Sequence, residues 1–214
     1  MTKTADWYFD YVSPFPYLQL ARFGDLPADL EVRPRPTLFA GLLNHWGHKG
    51  PAEIEPKARH VHQFIQWAAR KRGLPLAGPP RHPFNSLALL RLTEAAGATV
   101  EVVRLVYDHV WGEGHDGQAE DSVAALAAKL GVDDPAARLA DPELKAKVRA
   151  TTEEAIARGV FGVPTFVVDG RLFWGDDATD MLLDYLADPA GFDDPSARPF
   201  ADIRPAAQRI ERVG

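Results

Sequence analysis

The sequence predicts an α/β fold built in two halves, with a small sheet drawn from strands near both ends of the chain and a long all-helical stretch between them. Three observations predict it. First, Asp6-Trp7-Tyr8-Phe9-Asp10-Tyr11-Val12 alternates with period two and runs through Ser13-Pro14-Phe15-Pro16 into an amphipathic helix. Second, residues 39–158 carry helical periodicity almost throughout. Third, Pro164-Thr165-Phe166-Val167-Val168 is β-rich and is followed by Asp169-Gly170, a strong two-residue hairpin signal. Neither half can bury its apolar face alone, so the two must share one sheet.

Taken in order, the first strand carries Trp7, Phe9 and Tyr11 on one face. The helix after the corner runs from near Phe15 to near Gly24. Leu30 to Pro36 reads as a second strand, expected to be short because Pro34 and Pro36 cannot donate to a ladder. Lys57 to Lys71 places Val61, Phe64, Ile65 and Ala68 on one stripe, with Gly73 as the stop. Asn85 is expected to cap a helix that Gly97 ends, and Asp121 to Leu130 forms another, closed by Gly131. Asp141-Pro142-Glu143 supplies a cap, a first-position proline and an acidic first turn to a helix reaching about Arg158. Arg171 to Trp174 is the return strand of the hairpin. Gly175-Asp176-Asp177 leads into a last helix with Met181, Leu182 and Leu186 on its apolar face.

This βαβ unit, helical insertion and ββα unit describe a split thioredoxin-like fold. Residues 1–38 and 159–187 make the thioredoxin-like domain, 39–158 the helical insertion domain, and 188–214 a tail that wraps the surface or stays mobile. At 214 residues, 46% hydrophobic and 25% charged, the chain has ample material for a core. A net charge of −6 disfavours phosphate backbones. The one basic trio, Arg70-Lys71-Arg72, sits at a helix C-terminus where cations complement the dipole. No nucleic-acid partner and no membrane partner are expected, since no secretory signal or run of membrane-spanning length is present; a cytoplasmic location fits best.

There is no cysteine at all. Thiol–disulfide exchange by the chain itself is therefore excluded. In thioredoxin-type enzymes the strand-to-helix corner carries Cys-x-x-Cys, where a helix N-terminus favours the thiolate. Here the corner reads Ser13-Pro14-Phe15-Pro16, and Gly162-Val163-Pro164-Thr165-Phe166 looks like the segment whose cis-proline faces it. A thiolate site in a chain without thiols points to a thiol that arrives with a ligand, and glutathione is the obvious candidate. Histidine spacing gives no metal: His45 and His48 could share a face and His109 and His115 lie near Asp116, but a third ligand is missing.

Four ordered blocks across about residues 6–187, namely Ser13-Pro14-Phe15-Pro16-Tyr17, Pro83-Phe84-Asn85, Val160 to Phe166 and Phe173-Trp174-Gly175-Asp176-Asp177, carry a resemblance. The sequence resembles the 2-hydroxychromene-2-carboxylate isomerases, relatives of the kappa-class glutathione transferases in the DsbA-like thioredoxin superfamily. The resemblance implies a glutathione-dependent cis-trans isomerase that acts on 2-hydroxychromene-2-carboxylate or a similar aromatic unsaturated keto acid, and a homodimer. Ser13 would be the catalytic residue, its hydroxyl donating to the glutathione thiolate. Lowering a thiol pKa by about two units needs roughly 2.7 kcal/mol of differential stabilisation, within reach of a charge-assisted hydrogen bond and a helix dipole. The plainer alternative is that Ser13 only caps the helix.

The same resemblance assigns the backbone of Val163 to the cysteinyl peptide of glutathione, Asp176 and Asp177 to its γ-glutamyl end, and Lys57 and His48 to its glycyl carboxylate. Phe15, Trp46 and Asn85 would line the substrate pocket, although tryptophans are often core and Asn85 could serve only as a cap. His48, Gly50 and Ala178 depart from the family pattern. Two other readings stay open: a kappa-like glutathione transferase or peroxidase that consumes glutathione, and a non-catalytic thioredoxin-fold binding protein.

Overall fold

The computed structural model describes residues 3–193 and Ile203. Strand β1 (Lys3–Phe9) lies inside a four-stranded sheet of order β2-β1-β3-β4, parallel to β2 (Leu30–Pro36) and antiparallel to β3 (Thr165–Val168), which pairs with β4 (Arg171–Trp174). Helix α1 (Phe15–Leu20) joins β1 to β2. Between β2 and β3 come α2 (Phe39–Trp46), α3 (Glu55–Arg72), α4 (Leu87–Ala95), α5 (Val100–Tyr107), α6 (Glu120–Lys129), α7 (Pro135–Ala140) and α8 (Pro142–Ala157); α9 (Thr179–Ala187) follows β4. This is the expected thioredoxin-like sheet, with strands from both ends of the described chain and helices between. Among the described residues no helix is long and apolar enough to cross a membrane.

Several elements differ from the sequence expectation in instructive ways. Strand β2 is seven residues long despite its prolines. It pairs with β1 alone, so proline positions two residues apart can turn their missing N–H groups to the open edge. Period two in β1 separates two buried faces, not a buried and a wet one: Trp7 and Phe9 join the main core, while Tyr8 joins a second cluster with Leu42, Val163 and Val167. The main core runs from Trp7 and Phe166 of the sheet to Leu89, Val106 and Leu126 of the insertion.

The first strand ends at Phe9, and α1 ends at Leu20, ahead of the expected Gly24. Asn85 lies before the N-cap of α4, which is Ser86, yet its side chain accepts from Leu87 N at 3.1 Å. Met181 is exposed, and Leu182 and Leu186 alone hold the expected apolar face of α9. The Asp169-Gly170 hairpin is as expected, both residues having positive φ (50° and 79°). Of the tail, Pro189–Asp193 forms a single 3-10 turn, with Phe192 against Phe173 and Tyr185; beyond it only Ile203 is described, so the wrapped-or-mobile expectation for the tail lies mostly outside the described residues.

Candidate active site

The strand-to-helix corner starts at Asp10, where the backbone leaves the ladder because its carbonyls find other donors. Tyr107 Oη donates to Asp10 O (2.8 Å), Trp111 Nε1 to Tyr11 O (2.8 Å) and His82 Nε2 to Val12 O (2.9 Å). Side chains of the helical insertion thus fix three successive carbonyls of the corner. Ser13 N closes the turn on Asp10 O at 3.0 Å. Below it the fully buried Asp10 carboxylate accepts from Val12 N (3.1 Å) and Phe39 N (2.8 Å), and from the Ser86 hydroxyl. Burial raises the Asp10 pKa against the opposing hydrogen bonds from Ser86, Phe39, Val12 and Tyr11.

Ser13 is 7% exposed and does not cap α1. The N-cap position is Pro14, and no side chain caps that helix. Among the described residues the Ser13 hydroxyl has no hydrogen-bond partner. The capping alternative is thereby removed, and the hydroxyl is left available at the corner.

Val163 approaches from the other half of the chain. The Val163–Pro164 bond is cis, as the sequence implied, and Val163 packs with Tyr8 of β1 and Leu42 of α2. Among the described residues its N–H and C=O have no partner. Pro164 O accepts from Gly175 N at 2.8 Å, which ties the 162–164 segment to the turn before α9.

The two aspartates of that turn separate. Asp176 is 4% exposed and forms a two-bond ion pair with Arg72 at the end of α3 (2.8 and 2.7 Å). Asp177 is exposed, and its carboxylate folds over Gly175, where an added Cβ would clash with Asp177 Oδ1. Of the pair assigned to the γ-glutamyl end, Asp177 therefore has its charge free and Asp176 does not.

Helix α3 runs alongside α1: Arg72 Nη1 reaches Leu18 O (2.9 Å), and Phe64 meets Phe15 with ring centroids 6.1 Å apart. Further toward its N-terminus His62 Nε2 lies 3.1 Å from His82 Nδ1, level with the corner. Lys57 stands on the same stripe as Val61 and Ile65, about 10 Å along the axis from Phe64. It is exposed and has no ion-pair partner among the described residues.

Helix α2 starts at the corner, through Phe39 N, and ends at Trp46, whose Nε1 donates to Val160 O at 3.0 Å. Trp46 is thus near the 160–164 segment, and His48 follows it, exposed and without a side-chain partner. Phe15 opens α1. Asn85 Oδ1 accepts from Leu87 N, and its own N–H donates to Gln118 Oε1; among the described residues no hydrogen bond joins its side chain to the corner.

Three residues at the corner escape sequence reasoning. Tyr107, His82 and Ser86 lie 69 or more positions from Ser13 and carry no local motif; only the adjacency of Ser86 to the Pro83-Phe84-Asn85 block gives a signal. Gln19 likewise carries no motif. Buried in α1, it accepts from Trp7 Nε1 (2.7 Å) and donates to Gly175 O (3.0 Å) and Thr179 Oγ1 (3.1 Å), fixing α1 against the turn that carries Asp177.

Two cavities, of about 350 and 510 Å³, lie elsewhere: one is lined by Leu38, Arg91 and Val148, the other by Val32, Pro34 and Glu101. Ser13 lines neither of them.

A family profile described as a DSBA-like thioredoxin domain matches residues 4–187. The protein named 2-hydroxychromene-2-carboxylate isomerase of Sphingobium xenophagum is 32% identical over 197 residues, spanning 88% of this chain and 100% of that protein. The chain belongs to the 2-hydroxychromene-2-carboxylate isomerase family. A solved structure titled 2-hydroxychromene-2-carboxylate isomerase superposes with a TM-score of 0.79 at 28% identity, covering 89% of this chain and 97% of that one. Human glutathione S-transferase kappa 1 is a more distant relative, 24% identical over 210 residues and spanning 88% of this chain and 92% of that protein. This family member is accordingly a thioredoxin-fold enzyme of the isomerase or glutathione-transferase-like kind.

Proposed function

We propose that the protein is a glutathione-dependent cis-trans isomerase of 2-hydroxychromene-2-carboxylate or a closely similar aromatic unsaturated keto acid. One observation carries the reading: a cysteine-free chain of this family presents an uncommitted, nearly buried Ser13 hydroxyl at the corner. The groups around it suit glutathione. An exposed carboxylate (Asp177) matches an ammonium, a lysine (Lys57) matches a carboxylate, and the unpaired N–H and C=O of Val163 match a peptide unit.

Bound there, glutathione would supply a thiolate able to add reversibly to the unsaturated acid and so permit rotation about the former double bond. Ser13 Oγ–H donates to the sulfur and favours its charged form. The Val163 backbone orients the cysteinyl peptide, while Asp177 and Lys57 fix the two ends. Asp10, Tyr107, Trp111 and His82 keep the Ser13 hydroxyl where it must be, since a displacement of about 1 Å can cost two orders of magnitude in rate. Phe15 and Trp46 offer aromatic surface to an aromatic acid. Glutathione is regenerated in this scheme.

The test is a titration with reduced glutathione of wild type and Ser13→Ala, following thiolate absorbance and heat. Loss of one hydrogen bond to a charged group raises the bound thiol pKa by about 1–2 units. Absence of saturable binding to wild type overturns the reading. The kappa-type relative supports a second possibility, a transferase that consumes glutathione. Total thiol, constant during isomerisation and falling during transfer, separates the two.

A further inference from the structure

The third ligand missing from the histidine spacing is Glu113. We propose that His109, Glu113 and His115 form a binding site for a first-row divalent cation, zinc being the best match. A His109 ring nitrogen, a Glu113 carboxylate oxygen and a His115 ring nitrogen all lie within 4.8 Å of one another. Glu113 Oε2 is 3.7 Å from His109 Nδ1 and 3.2 Å from His115 Nε2. Tetrahedral zinc with bonds of about 2.0–2.2 Å sets its ligand atoms about 3.3–3.6 Å apart, so each of these two edges needs to change by only about 0.1 Å.

A second, independent observation points to a ligand. His109 is 2% exposed, and its Nδ1 is a buried polar atom with no partner. Its other nitrogen, Nε2, lies 3.0 Å from Ser122 Oγ on α6. With that hydroxyl accepting from Nε2–H, the proton is fixed on Nε2 and the bare lone pair on Nδ1, facing Glu113. A ring held this way by an outer hydrogen bond is the usual arrangement of a ligating histidine. A buried acceptor left unsatisfied is unfavourable, and a cation would satisfy it.

The local backbone brings the three together. Residues Asp108–Gly112 form a π-helical turn, with Glu113 N donating to Asp108 O at 2.7 Å; such turns recur at functional sites. Gly114, at φ +83°, reverses the chain so that His115 N reaches His109 O at 3.1 Å. In the described conformation the His109 and His115 rings stack at 4.1 Å and Lys129 Nζ pairs with Glu113 Oε2 at 3.1 Å. Capture of the cation therefore turns the half-exposed His115 out of the stack and displaces Lys129, with water completing the coordination. The site lies on the turn that carries Trp111, which holds the corner at Tyr11 O. It would brace that turn, whose tie to α6 is the bond between His109 Nε2 and Ser122 Oγ.

The experiment uses the full chain without an affinity tag, stripped with a chelator and titrated with cobalt(II) as the spectroscopic stand-in for zinc, with melting temperature read in parallel. One equivalent should bind at micromolar concentration, with visible ligand-field bands and a raised melting temperature. Glu113→Gln and His115→Ala, both at exposed side chains, should each weaken binding about 10–100-fold with an unchanged circular dichroism spectrum. His62→Ala tests the other histidine pair, His62 with His82, and should leave binding intact. No saturable binding, binding that survives both His115→Ala and Glu113→Gln, or binding lost in His62→Ala overturns the proposal. None of these outcomes depends on turnover or on glutathione.

Discussion

The Arg72 guanidinium holds the buried Asp176 carboxylate through two parallel bonds of 2.8 and 2.7 Å, fastening the end of α3 to the turn before α9. A bidentate pair of this kind is strong and directional. Removing its cation strands a charge that is otherwise shielded from water. Arg72→Ala should therefore cost on the order of 3 kcal/mol in urea unfolding. Combining Arg72→Met with Asp176→Leu should restore most of that loss. A single variant as stable as wild type would show the pair to be incidental.

Asp177 should behave in the opposite way. Its carboxylate is exposed and unpaired, so Asp177→Ala should leave the melting temperature unchanged while weakening glutathione binding about tenfold, or about 1.4 kcal/mol. Gly175→Ala should do both kinds of damage. At φ +97° an alanine is strained, and its Cβ meets the Asp177 carboxylate. Calorimetric titration beside thermal melts distinguishes the three patterns.

Trp111→Phe keeps the ring packing but leaves Tyr11 O without its donor. The expected loss is about 1–3 kcal/mol of stability. If the corner carbonyls position Ser13 as argued, the variant also raises the pKa of bound glutathione. A stability loss with an unaltered thiol pKa would limit Trp111 to a packing role.

His82 gives the fold a pH dependence. Burial, and then the neighbouring His62, hold its pKa below the ordinary imidazole value, against the opposing hydrogen bond to Val12 O. Folded-state protonation is thus harder than unfolded-state protonation. Its contribution is neutral in sign above the unfolded value of about 6.5 and becomes destabilising as pH falls below it, levelling off under the folded-state value. Stability should drop between pH near neutrality and pH 5, and His82→Asn should flatten part of that slope; His109, shifted the same way mainly by burial, keeps the remainder. A melting-temperature profile that His82→Asn leaves unaltered would refute the assignment.

Much of the fold was legible because its signals are local. Alternation in β1, the Asp169-Gly170 hairpin and the left-handed Gly73 stop each follow from neighbouring residues. The corner at Ser13 and the cis bond between Val163 and Pro164 were legible too, through motif blocks that survive without cysteine. What misled was everything set by neighbours distant in sequence. The prolines of β2 suggested a short strand, yet an edge position tolerates them. Met181 fitted the helical period but faces solvent. Asp176 and Asp177 are adjacent and alike in sequence, and only the arrival of Arg72 makes one a buried ion-pair partner and the other free.

By itself, then, the sequence determined the sheet strands, the helical character of residues 39–158, the corner at Ser13 and the exclusion of disulfide chemistry, because propensity, turn chemistry and residue type act over a few positions. Tertiary structure alone decided which side chains hold the corner, which aspartate is left without an ion-pair partner, and that Glu113 completes a cluster with His109 and His115. Hydrogen bonds, ion pairs and ligand geometry require atoms within a few ångströms, and the folding of the chain, not its order, brings those atoms together.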